Sequence, residues 1–143
     1  MYGTVDLFIE AFGLSEATQL SNLDSPNAEG VNSIPIVRAL TDGAAQIDSY
    51  IGRIYTLPLT VIPQVLIPYA LDIARYRLDR IRDRENVRAR YSDALKWLES
   101  VRDGKCHLGV DTIANTLVPI SVHVGNVTFG GERRGGLLDM RGF

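Results

Sequence analysis

The residues of this chain that could do chemistry fall into three groups. Cys106 and His107 are adjacent, and His123 is the only other histidine. A structural zinc site needs about four ligands at characteristic spacings, and one cysteine with two histidines falls short of that. A Cys–His nucleophile pair fares no better, because adjacent side chains rarely point at each other. Asp72, Asp79 and Asp83 could be imagined as metal carboxylates, but each has an arginine three or four residues away. Ion pairing along a helix is the simpler account of them. The third group is the glycine-rich run Phe129-Gly130-Gly131-Glu132-Arg133-Arg134-Gly135-Gly136. It lacks the GK[ST] ending and the strand-then-helix setting of a phosphate loop, so a flexible arm is expected. With no acid–base pair, nucleophile or cofactor motif, the expectation is a structural or binding protein: not an enzyme, with no cofactor and no bound metal.

Arginine is the conspicuous chemical feature. It supplies 13 of the 15 basic residues, and seven arginines lie between Arg75 and Arg90. Arginine makes forked pairs with carboxylates and phosphates, where lysine is a looser point charge. Asp79, Asp83 and Glu85 are interleaved with the cluster, and such acids repel phosphate. Three readings are open: a solvated face with local ion pairs, salt bridges between subunits, or contact with a nucleic-acid backbone. Among the functional ones, interface pairing is favoured over nucleic acid.

Composition sets wide bounds. At 143 residues one domain is expected. Such a chain can bury roughly two-thirds of its unfolded surface, so neither disulfide nor metal is needed to stabilise a core. The apolar fraction is 45%, the charged fraction 22% and the net charge −2, all ordinary for a soluble globular protein. Cys106 is alone, so no intrachain disulfide forms. Residues 1–12 carry two acids and no basic stretch, unlike a secretory signal. No apolar run reaches the ~18 residues that span a membrane. A cytoplasmic protein, or part of something assembled there, is expected.

The elements that must hold these residues read as helices. Thr4 is a candidate N-cap for a short helix over 4–12 that ends at Gly13, with Val5, Phe8, Ile9 and Phe12 as its stripe. Ser15 to Leu20 can add one more turn. A loop over 22–33 leads to a long helix from about Ile34 to Tyr55, capped by Ser33, with Pro35 in its first turn. Its stripe is Val37, Leu40, Ala44, Ile47, Ile51 and Ile54. Gly43 weakens the middle by ~1 kcal/mol relative to alanine, or permits close helix contact. The central helix starts near Gln64, with Ala70, Ile73, Ala74, Arg77 and Ile81 on one face, and breaks around Asp83 to Asn86. A last helix runs to about Asp103 on Val87, Tyr91, Ala94, Leu98 and Val101, and Gly104 stops it. Beyond it, 118–124 and 127–129 alternate weakly around Gly125-Asn126, a hairpin pattern. The fold class expected is therefore all-α: a small bundle of about four helices over 1–104, then an extended C-terminal arm over 105–143 that can form a short β-hairpin.

Taken in order, these segments resemble the phage Mu-like head–tail connector family. The resemblance is carried by Asp6-Leu7-Phe8 with Phe12-Gly13, by Ala39-Leu40-Thr41-Asp42-Gly43-Ala44 with Ile47-Asp48-Ser49-Tyr50-Ile51, and by Arg53 to Leu59 with Pro63. Its strongest part is Ala70-Leu71-Asp72-Ile73-Ala74-Arg75-Tyr76-Arg77-Leu78, followed by Val87 to Tyr91 and Leu98 to Gly104. The close, Leu138-Asp139-Met140-Arg141-Gly142-Phe143, looks like the family's Gly-Phe ending, although the family more often has arginine at the position of Leu138.

The resemblance implies an all-helical virion assembly protein, a head–tail connector or adaptor in the neck. Such a subunit forms a ring, usually dodecameric, below the portal protein. A tail-completion or stopper protein then attaches, and DNA passes through the lumen without sequence specificity. No membrane is involved, and assembly takes place in the host cytoplasm. The residues expected at the subunit and portal interfaces are Arg82, Arg84, Arg88 and Arg90, with the apolar anchors Leu138, Met140 and Phe143. The alternative is a nucleic-acid-binding helical module that uses the arginine cluster.

Overall fold

A computed structural model describes residues 1–109, which fold into five helices with no strand among them. They are α1 (Val5–Phe12), α2 (Leu14–Ser21), α3 (Ser33–Ile51), α4 (Leu66–Leu78) and α5 (Glu85–Arg102). The all-α class agrees with the sequence pattern. The hairpin expected over 118–129, the glycine-rich run and the tail lie outside the described residues.

The caps explain where the helices start. Thr4 accepts the Leu7 N–H through its hydroxyl at 3.2 Å, which satisfies one of the free donors of α1. Gly13 then turns the chain at φ +94°, a conformation that suits glycine. After that turn the chain forms not one extra turn but a separate eight-residue helix, α2. Its hydroxyl and amide side chains tie down the loop behind it. Asn22 donates through Nδ2 to the Gly30 carbonyl at 2.7 Å, and Ser21 Oγ accepts the Asn32 N–H at 3.0 Å. Asn32, not Ser33, caps α3: its Oδ1 accepts the Ile34 N–H at 3.1 Å.

Helix α3 differs from its expected stripe in two ways. It ends at Ile51, and the chain turns away at Gly52. Freed from the helix, Tyr55 is buried, and its hydroxyl accepts the Leu108 N–H at 3.0 Å. The buried face also keeps Leu40, Ala44, Ile47 and Ile51 of the expected stripe but widens to one side of it. Ile36, Ala39, Leu40, Gly43, Ala44, Ile47 and Ile51 face inward, while Val37 is exposed. Gly43 marks the reason, because α4 crosses there. A Cβ on Gly43 would stand 3.2 Å from Ile73 Cγ2 and 3.8 Å from the Ala70 carbonyl oxygen. The close contact therefore pulls the Ala39–Gly43 side inward.

Helix α4 is shorter than its pattern. It stops at Leu78, so Ile81 falls in the following turn and is 64% exposed, and Arg77 is exposed too. Ala70, Ile73 and Ala74 are buried as expected, but so are Leu66, Leu71, Asp72 and Leu78. Two cores meet on this helix. Ala70 and Ile73 join Ile47, Ile51, Leu98 and Val101. Leu71, Ala74 and Leu78 join Phe8, Leu20, Ile36 and Leu40. Helix α5 matches its expected stripe: Val87, Ala94, Leu98 and Val101 are buried and Tyr91 half-buried. Gly104, at φ +82°, stands just past its end.

Gly43→Leu places a branched side chain against Ile73 in a filled interior. The expected loss is about 1–3 kcal/mol, measured as a lower urea midpoint with an unchanged slope.

Candidate assembly interface

The short helix α2 is the unexpected partner of the arginine cluster. Glu16, on its first turn, accepts from two arginines 59 and 68 residues further on. Arg75 of α4 donates through Nε to Oε2, and Arg84 donates through Nη1 to Oε1 at 2.9 Å. Arg84 also donates through Nε to Asp79 Oδ2 at 2.6 Å. The Asp79 side chain is 1% exposed and sits at the end of α4. Arg82 lies over it, with Nε 3.5 Å from Asp79 Oδ1. Charge attraction holds at that distance, but the alignment is poor: Asp79 Oδ1 and Arg84 Nη2 are buried with no hydrogen bond among the described residues. The Arg75 guanidinium also lies 4.6 Å from the centre of the Phe12 ring. One run of charge thus joins α1, α2, α4 and the α4–α5 turn.

The electrostatics agree with the contacts. Burial alone would raise the pKa of Glu16. Hydrogen bonds from Arg84 and Arg75, with their charges, outweigh it and hold the carboxyl below its usual range. The reciprocal bond from Glu16 raises Arg84, against the burial that would lower it, with Asp79 adding to the rise. Elsewhere, burial, a hydrogen bond to Asp48 and the charge of that carboxylate push the Tyr2 hydroxyl up.

The other arginines are engaged too. Arg90 of α5 forks onto the buried Asp72 of α4, with Nε to Oδ1 at 2.9 Å and Nη2 to Oδ2 at 3.3 Å. Arg88 pairs with Asp83 across the turn. Arg80 reaches Asp24 at 2.7 Å, and Arg77 Nη2 donates to Gln46 Oε1 at 2.7 Å. Gln46 Nε2 in turn donates to the Tyr91 hydroxyl at 3.0 Å, and Tyr91 stacks on Tyr76 at 3.9 Å. The partners of Asp72 and Arg75 lie on other helices: Asp72 takes Arg90 of α5, and Arg75 takes Glu16 of α2.

Arg82, Arg84, Arg88 and Arg90 therefore stand together around the α4–α5 turn, each on a carboxylate of its own chain. Leu138, Met140 and Phe143 lie outside the described residues. Glu16 and Gln46, on which three of the cluster's arginines close, carry no signal in the sequence. Both are single polar residues far along the chain from their partners. Cys106 packs half-buried against the first core. His107 accepts the Gly109 N–H through Nδ1 at 3.0 Å, and its ring meets Tyr55 edge-on. Among the described residues no three His, Cys, Asp or Glu side chains are grouped to hold a metal ion, and no helix is long and apolar enough to cross a membrane.

Removing the shared carboxylate tests this network. Glu16→Ala leaves Arg75 without its carboxylate and Arg84 with only one. The expected cost is about 2 kcal/mol, above the ~1 kcal/mol ceiling of an exposed pair and below the ~3–5 kcal/mol of a fully buried one. Because folding depresses the Glu16 pKa, its contribution is complete above the unfolded value of about 4.3. It is lost as the pH falls below that through the folded value. Denaturant melts from pH 7 down to pH 3 should show a smaller acid-side loss in Glu16→Ala than in the parent.

Known proteins resemble this chain over most of its length. The chain is 34% identical over 110 residues, 77% of each chain, to "Mu-like prophage FluMu protein gp36" of Haemophilus influenzae (strain ATCC 51907 / DSM 11121 / KW20 / Rd). Against "Gene product J" of Escherichia phage Mu it is 40% identical over 75 residues, 52% of this chain and 53% of that protein. With residues 2–119 matching the model of the family described as "Bacteriophage Mu, Gp36", the chain belongs to that family of Mu-like phage proteins.

Proposed function

We propose that this chain is a non-catalytic structural subunit of the virion, a head–tail connector that forms a ring in the neck. In this reading the ring, dodecameric to match the portal, sits below the portal protein and receives a tail-completion or stopper protein. DNA passes through its lumen without base-specific contact, and assembly takes place in the host cytoplasm.

The observation that carries the proposal is that the arginine cluster closes on the chain's own acceptors, although five of its seven side chains remain exposed. All seven arginines from Arg75 to Arg90 meet an acceptor inside the chain. A module that gripped nucleic acid would present such residues to phosphates. Here they lock α2, α4 and α5 into one body, which suits a subunit that transmits load. Membership of a Mu phage family supports a role in building the particle.

Purified protein mixed with its portal should give ring-shaped density by negative-stain electron microscopy, stacked coaxially on the portal. A chain that stays monomeric at high concentration and ignores the portal overturns the proposal. Steeply salt-dependent DNA binding, with a slope that falls on neutralising Arg84 and Arg88, would favour the nucleic-acid module instead.

A further inference from the structure

Among the charges that the network leaves over, two groups lie on unlike surfaces. The first is a groove of about 440 Å³ between the first half of α3 and the end of α4. Arg38, Arg77 and Arg80 line it, with Asp24 and Asp42. Arg38 is exposed and has no ion-pair partner among the described residues. Arg77 is held by a neutral amide, so no carboxylate answers its charge. Arg80 shares Asp24, but that pair is half or more in solvent and is readily exchanged. Ile34, on the groove's edge, is 71% exposed.

The second surface is the outer edge of α1 and the corner after it. Helix α1 carries Asp6 and Glu10 and no basic residue. The two acids stand four apart, so they share a face. Both are exposed, and neither has an ion-pair partner among the described residues. Leu14 stands at the corner, 63% exposed. An acidic edge ending in a leucine thus matches a groove with surplus arginine and an isoleucine at its rim. Arg38 and Asp42 face the groove toward α4.

We propose that the occupant of the α3–α4 groove is a second copy of this chain, which inserts its Asp6–Glu10–Leu14 edge. The contact is heterologous, so each subunit offers an edge to one neighbour and a groove to the other, and repetition closes a ring or extends a filament. Arginine forks suit the carboxylates, and like charges brought together in the same place would oppose docking. The proposal rests on the connector reading only in requiring that copies touch. It names which surfaces meet.

The test uses the full chain, with self-association followed by sedimentation velocity and electron microscopy, with and without portal. Glu10→Arg and Arg38→Glu change exposed side chains, and circular dichroism melts check that each variant folds. Each alone sets like charge against like and should weaken association roughly tenfold or more. The double variant restores opposite charges and should recover assembly. So should an equal mixture of the two single variants, because half of the possible contacts then pair a parent edge with a parent groove or a reversed edge with a reversed groove. Rings that form normally from both single variants overturn the proposal while leaving the connector reading intact. Loss in both single variants with no rescue in the double or the mixture does the same. If Arg38→Glu loses portal binding while self-association persists, the groove belongs to the portal and the proposal fails. Parent protein that never associates, alone or with portal, overturns both.

Discussion

Two buried carboxylates on the central helix govern this structure. Helix α4 serves both cores at once, so only a narrow strip of its surface is left for polar groups. Asp72 within it and Asp79 at its end are nonetheless buried. A buried carboxylate without a counter-charge is costly, whereas one with a well-placed arginine is tolerated. Both arginines that answer them come from the sequence just beyond α4: Arg84 from the turn and Arg90 from α5. The position of α5 against α4 is thereby constrained twice, by its apolar stripe and by the fork on Asp72. A sliding of α5 by one turn would keep much of the stripe in contact but would strand Asp72.

Such pairs contribute more to uniqueness than to total stability. Apolar burial drives the collapse, and hydrophobic side chains of similar size could often replace a buried ion pair at no loss. What they could not easily reproduce is direction. Glu16 illustrates the point, since it holds α2 to α4 and to the turn through two arginines at once. Helix α2 is only eight residues long and of low apolar character, with Ala17 and Leu20 as its buried apolar side chains. Without the ionic tie, so short a helix would have little to fix its angle. The orphaned Asp79 Oδ1 shows that the network is not ideal. Arg82 supplies charge there without a well-aligned hydrogen bond.

Periodicity makes most of the helical frame legible. The stripe of α5 and the close approach at Gly43 are local consequences of residue spacing and size. Spacing misleads where tertiary contact decides. The buried face of α3 is widened toward Ile36 because α4 needs the Gly43 side, and by residue type alone Val37 is just as apolar. The three- and four-residue charge spacings in α4 suggest pairs along its own surface. Inter-helix partners win for Asp72 because it is buried, and burial rewards a forked arginine from a neighbouring helix over a flexible one on the same face. Glu16 and Gln46 are out of reach for the same reason: nothing in the residues around them specifies a partner tens of positions away.

The engagement of the arginines within their own chain also relocates where contacts with other molecules should be sought. Charge-rich segments attract attention in a sequence, yet an arginine already engaged by a buried carboxylate must abandon it before serving a partner. Exposed groups with no such commitment start with the advantage. Among the described residues those include the acids of α1 and the cations beside α3, together with the leucine and isoleucine that flank them. The ion network fixes the angle between α2 and the rest, and α1 packs directly against α2 through Phe8. The internal arginines therefore act on any assembly at one remove, by holding the edge and the groove at a constant relation. In the proposed ring that constancy matters, because small angular errors accumulate around it and decide whether it closes.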